Sequence, residues 1–266
     1  MTATGGFWLE FLVRACGTGA VVVAVAWAAA RLGPVLGGIL VGLPIVLAPG
    51  FFFLLREESP QFVAVVAGGA LFSLMAVQVF LGAYILASRG GSAVAALIAA
   101  TAAWCVVALP LSALPHPPLA GAALFMAATV GLWLSGRRFL PPPQAPAAAT
   151  RWLLLIARGV AAGVLVGVVT LAARMLGPAL AGTLLAFPVG FSVVLLSLHL
   201  DHGAGIAAQT AHAGLAGVTS LAAFVLALAL LLPAMAPWAA FAASLIASLA
   251  TTALLGFTAR ARRRLR

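Results

Sequence analysis

Gly33-Pro34, Leu36, Gly38, Leu40 and Pro44 recur as Gly177-Pro178, Leu180, Gly182, Leu184 and Pro188, at a constant offset of 144 residues. The same offset joins Trp8 to Trp152, Arg14 to Arg158 and Gly19 to Gly163 without a gap. The chain is an internal duplication, and two copies of one pattern call for two related structural units. The best-matched stretch, 177–199, is apolar enough to lie in a membrane. It nevertheless carries Gly177, Gly182, Gly190 and Pro188, residue types that weaken a continuous helix.

Hydrophobic residues make up 65% of the chain and charged residues 7%, whereas a soluble domain has roughly a quarter of its residues charged. Several apolar runs exceed the roughly 20 residues needed to cross the hydrocarbon core. These features predict an all-α integral membrane protein with the lipid bilayer as its partner. The net charge of +10 comes from arginines, most of which sit at segment ends or in the tail 260–266. That placement is the mark of topology anchors, so no nucleic-acid partner is expected. Cys16 and Cys105 fall within apolar segments without metal-ligand spacing and read as small core residues.

Nine membrane segments are predicted, at about 7–30, 35–55, 62–87, 92–109, 119–135, 152–174, 178–198, 206–231 and 238–257. Segment 1 has the layout of a signal peptide, but its pattern recurs at 152–174, where no cleavage is possible, so it belongs to the repeat. Segments 1–4 (residues 7–110) form the first repeat and segments 6–9 (152–257) the second. Residues 111–151 hold the linking segment 5 and a proline-rich linker, and 258–266 form an Arg-rich tail. The odd segment 5 makes the second copy insert with the opposite orientation. Two inverted four-helix repeats joined by a linking helix are the common plan of secondary transporters, with the site near the midplane at broken helices. Placing the Arg-rich C-terminus in the cytoplasm puts Arg31, Arg89, Arg137, Arg138 and Arg151 there too and leaves the N-terminus outside, in accord with the positive-inside rule.

Pro44 and Pro188 lie about ten residues into segments 2 and 7, close to mid-membrane at a rise of about 1.5 Å per residue. A proline there removes a backbone hydrogen bond, which is tolerated against protein or a water-filled cavity. With Gly38 and Gly182 these prolines predict either paired unwound segments lining a substrate path or ordinary kinks with glycines for close packing. Gln78, Gln209 and His212 are the candidate polar contacts. Gln209 and His212 share a helix face, and His212 is a candidate proton handle or a solvated histidine near a segment end. Arg158 and its counterpart Arg14 either snorkel to the interface or contact an anionic solute. His199, Asp201 and His202 read as a short loop after segment 7, not a metal cluster. No cofactor is expected, and no nucleophile elbow, phosphate loop, zinc motif or paired intramembrane aspartates support an enzyme.

Ala181-Gly182, Phe187-Pro188, Phe191 and His199, followed by Asp201-His202-Gly203 and an alanine-rich helix start, carry a resemblance. Over residues 152–257 the chain resembles the small bacterial inner-membrane proteins of the GlpM type, four-helix chains of one repeat, here duplicated. In that family an Ala-Gly, a Phe-Pro-x-Phe and a histidine precede a Glu-Arg-Gly turn. In this chain Phe191 falls one residue late, His199 several late, and the turn reads Asp-His-Gly. The resemblance implies an inner-membrane location and four-helix repeats, with no substrate or catalytic residue. The expectation is a secondary transporter for a small, anion-leaning solute, with proton coupling. The alternative is a structural or accessory protein of an envelope-assembly or secretion system.

Overall fold

The computed structural model describes residues 32–44, 47–140 and 177–264, with Ala20, Trp27, Val160 and Val164 as isolated helical positions. Segments 1 and 6, the linker 141–151, Arg14, Cys16 and Arg158 lie outside the described residues. All regular structure among the described residues is helical. In chain order these are α1 (Pro34–Val41), α2 (Leu47–Glu57), α3 (Pro60–Ala87), α4 (Ala93–Ser112) and α5 (Pro118–Gly136), followed by α6 (Gly177–Leu185), α7 (Val189–His202), α8 (Ala204–Leu231) and α9 (Pro237–Arg264). Two 3-10 turns, Ser88–Gly90 and Arg137–Phe139, close α3 and α5.

Six helical stretches among the described residues are long and apolar enough to cross a membrane: α3, α4, α5, the stretch Leu180–His202, α8 and α9. The protein is a multi-pass membrane protein. Their starts obey local chemistry. Ser59 caps α3 by accepting from Phe62 N at 3.2 Å, Ser92 caps α4 through Ala95 N at 3.2 Å, and Pro60 and Pro118 occupy first-turn positions that need no N–H.

The 144-residue offset carries into the element boundaries. Shifted by it, Pro60–Ala87 becomes Ala204–Leu231, the span of α8, and Pro34–Val41 falls on α6. α3 and α8 form the centre, with 72% and 61% of their membrane windows buried, against 22%, 22% and 17% for α4, α5 and α9. The outer helices present Val106, Ile98, Leu119 and Ile246 outward, as a lipid-facing surface requires. α1 packs on α8 of the other half, while α6 packs on α3, so each short helix crosses to the opposite copy.

The two central helices run in opposite directions. Near the end of α3, Tyr84 bonds His199, four residues before Gly203, where α8 starts. Near the beginning of α3, Phe51 of α2 packs edge-on against Phe224, close to the end of α8. The equivalent third helices of the two copies are therefore antiparallel. Arg89, Arg137 and Arg138 share one end of the molecule with the start of α8, and Arg56, Glu57 and Glu58 occupy the other.

Pro44 and Pro188 interrupt their segments: 35–55 and 178–198 each hold two helices, with non-helical residues at 42–44 and 186–188, because proline cannot continue the bonding ladder. Two expectations need correction. His199, Asp201 and His202 form the last turns of α7, not a loop; Gly203, at φ 89°, stops the helix one residue later. The tail from residue 258 is helical through Arg264, since alanine and arginine favour helix and cations suit a helix C-terminus.

Candidate functional site

The two breaks have matching hydrogen bonds. Pro44 and Pro188 lack an N–H, so the carbonyls of Leu40 and Leu184, four residues earlier, lose their usual donors. Each accepts instead from the residue before the proline, Leu43 N to Leu40 O at 3.1 Å and Phe187 N to Leu184 O at 3.0 Å. On the far side the proline carbonyls start a new helix, accepting from Ala48 N at 2.7 Å and Ser192 N at 2.9 Å. Ser192 Oγ adds a second bond to Pro188 O at 2.9 Å. Residues at equivalent positions thus solve the same local problem in the same way.

Glycine lets each broken helix reach the other half. A Cβ on Gly38 would collide with Thr210 O and lie 2.7 Å from both Ala213 Cβ and Gly214 N. A Cβ on Gly182 would collide with Val66 O and lie 2.9 Å from Ala70 N. Val66 and Ala70 are the 144-residue counterparts of Thr210 and Gly214. Apolar burial does not drive association between helices in lipid, so this close backbone approach supplies dispersion contact. The copies differ one turn on: Gly42 meets Gly217 backbone to backbone, whereas their counterparts are Ala186 and Ser73. There Ser73 Oγ donates to Thr183 O at 2.9 Å.

Between the two breaks lies a cavity of about 40 Å³. Leu43 and Phe187, Leu47 and Phe191, and Val77 and Leu221 line it, three pairs each related by the 144-residue offset. Pro188 joins this lining, and Trp104 of α4 stands edge-on against Phe187 with ring centres 4.9 Å apart. The wall is aliphatic and aromatic. Its volume admits only a few water-sized groups, so a solute passes only if the halves move apart.

The predicted polar residues are not gathered there. Gln78 is fully buried where α3, α5 and α8 meet, its Nε2 donating to Thr129 Oγ1 at 2.8 Å and Leu215 O at 3.0 Å. His212 stacks on Trp133 with its Nε2 3.0 Å from Trp133 O, tying α8 to the end of α5. Gln209 is half-buried on the same helix. Gly38, Gly182, Pro44 and Pro188 form the breaks and their packing, and Arg158 is outside the described residues.

Sequence reasoning missed the six lining side chains, although the offset that pairs Pro44 with Pro188 also pairs them. It also missed the buried pair Tyr84–His199, in which Tyr84 Oη lies 3.0 Å from His199 Nδ1 and donates to Leu195 O at 3.1 Å. Their counterparts Leu228 and Leu55 are apolar, so the repeat offered no signal.

Gln78 gives a direct test of its role as a tie. Its Oε1 is buried without a partner. Gln78→Leu is expected to change stability by no more than about 1 kcal/mol, because interhelical bonds in membranes average about 0.6 kcal/mol and the orphaned acceptor goes with them. Gln78→Glu should lower the unfolding temperature in detergent further, since it buries a carboxyl group. The reverse ranking would contradict this account.

The chain matches no family model, no curated protein and no solved structure.

Proposed function

We propose that the protein is a secondary transporter that moves a small solute by alternating access between two inverted four-helix repeats. The observation that carries this reading is the cavity between the breaks, lined by three offset-related pairs of residues. A site shared by two equivalent units, with the central helices antiparallel, suits a mechanism in which each unit gates one side in turn. On this reading nine segments cross a bacterial inner membrane, with the N-terminus outside and the arginine-rich end cytoplasmic, as the positive-inside rule favours. Kinship with the GlpM-type proteins belongs to the same proposal. Proton coupling is assigned to His212, and the anion preference rests on Arg14 and Arg158.

One specific observation favours the rival, a non-catalytic accessory protein of an envelope-assembly or secretion system. Gln78 and His212 spend their bonds joining helices, as a static scaffold would.

Thiol accessibility separates the two without knowledge of the solute. With Cys16 and Cys105 replaced by serine, single cysteines at Leu43 and Phe187 are exposed to a membrane-impermeant thiol reagent from either face. A transporter should label both positions from both faces, because each state opens the cavity to one side. Protection from both faces, in protein that is fully reactive once unfolded, would sink the transport reading and favour the scaffold.

A further inference from the structure

A larger cleft, of about 440 Å³, opens at the arginine-rich end, where α3 and α5 end and α8 begins. This volume falls in the range of small-molecule sites. Among the described residues its two charged lining residues are Arg89 and Arg138, beside Phe139, Leu140 and Gly205, and no described acidic side chain lines it. The Arg89 guanidinium stands 5.8 Å from the Phe139 ring centre, so the cationic and apolar parts of the wall adjoin. Arg137, the neighbour of Arg138, does not line the cleft; its guanidinium stacks 3.3 Å from the Trp133 ring centre.

The depth of the cleft narrows the choice of ligand. Arg89 is the penultimate residue of the membrane stretch Pro60–Gly90, and Arg138 the penultimate residue of Pro118–Phe139. Both residues therefore stand at the ends of membrane-length helices, the level at which a bilayer carries its headgroups. Two cations on one cleft repel each other until an anion stands between them, and the planar guanidinium fork matches phosphate oxygens. Phe139 and Leu140 offer an apolar wall beside that charge.

We propose that this cleft binds the phosphate group of an anionic phospholipid, held by Arg89 and Arg138, with the glycerol and first acyl carbons against Phe139 and Leu140. Basic pockets between membrane helices recognise headgroups through this combination of charge and depth. The site does not depend on whether the protein transports a solute.

The full chain, purified in detergent, is titrated with phosphatidylglycerol, phosphatidylcholine or glycerol 3-phosphate, and bound ligand is counted by native mass spectrometry. Phosphatidylglycerol should be retained in preference to phosphatidylcholine. R89Q/R138Q should weaken that retention by roughly tenfold or more, while R137Q leaves it unchanged. Undiminished retention by the double variant, or an equal loss in R137Q, would overturn the site. Glycerol 3-phosphate binding as tightly as the lipid would overturn the lipid assignment and identify a free phosphate ester as the ligand. If R89Q/R138Q does not fold, Arg89→Lys and Arg138→Lys keep the charge but lose the fork. They should weaken retention, and wild-type retention in both would overturn the proposal.

Discussion

Adding a single methyl group at Gly42 or at Gly217 should destabilise the protein more than the same change at Gly131 or Gly256. A Cβ on Gly42 would lie among the backbone atoms of Gly217, 2.8 Å from its Cα and closer to its carbonyl. A Cβ on Gly217 would lie 3.0 Å from Ile39 Cα and closer to Gly38 O. The obstacle in both directions is main chain, which no rotamer change can move aside. Overpacking of this kind costs about 1–3 kcal/mol, and in lipid no apolar burial is gained in return. Gly42→Ala and Gly217→Ala are therefore expected to lower the unfolding temperature clearly. Gly131→Ala and Gly256→Ala are the controls, because nothing lies within 4 Å of a Cβ at either position. There the better helix propensity of alanine, about 1 kcal/mol, should leave stability level or improved. Equal effects at all four positions would show that α1 and α8 are not held by backbone approach.

Straightening the broken helices should have the largest effect on movement. Pro44→Ala and Pro188→Ala restore an N–H for the carbonyls of Leu40 and Leu184 and remove a residue that costs about 3 kcal/mol in a helix interior. At 1.4 kcal/mol per tenfold change, that biases each segment toward a continuous helix by roughly a hundredfold. The side chains at the breaks would then lose the positions from which they line the cavity. The double variant is expected to reach the membrane at normal levels while thiol labelling at Leu43 and Phe187 falls sharply from both faces. Unchanged labelling would mean that the breaks do not gate the cavity. Proline here acts through the bond it cannot make, so Pro44→Gly, which also restores the N–H, should shift labelling in the same direction as Pro44→Ala but less, because glycine is about 1 kcal/mol poorer than alanine in a helix.

Much of this architecture was legible because of what a membrane demands. Without water in the hydrocarbon core, backbone groups must bond within the segment, so long apolar runs can only be helices. The observed ends of α3, α4, α5 and α8 lie within a few residues of the predicted segments. The breaks were legible as well, since proline and glycine act locally. The polar contacts were not. Gln78 and His212 stood out as polar residues in apolar helices, but their partners Thr129, Leu215 and Trp133 lie far away in sequence. Nothing local distinguishes a residue that faces a solute from one that ties two helices.

Hydropathy, the proline positions and the 144-residue offset, all properties of the chain itself, determined by themselves that this is a helical, multi-pass, duplicated protein with two interrupted segments. The tertiary structure alone decided that each interrupted segment packs on the other copy, and that three offset-related pairs meet around one cavity. It also assigned the strongest polar candidates to holding helices together. The physical reason is that backbone bonding and solvent preference are local or compositional, whereas the choice of helix neighbour in lipid rests on the fit of surfaces far apart in the chain. Gly42 against Gly217 is such a fit, and no window of sequence contains both.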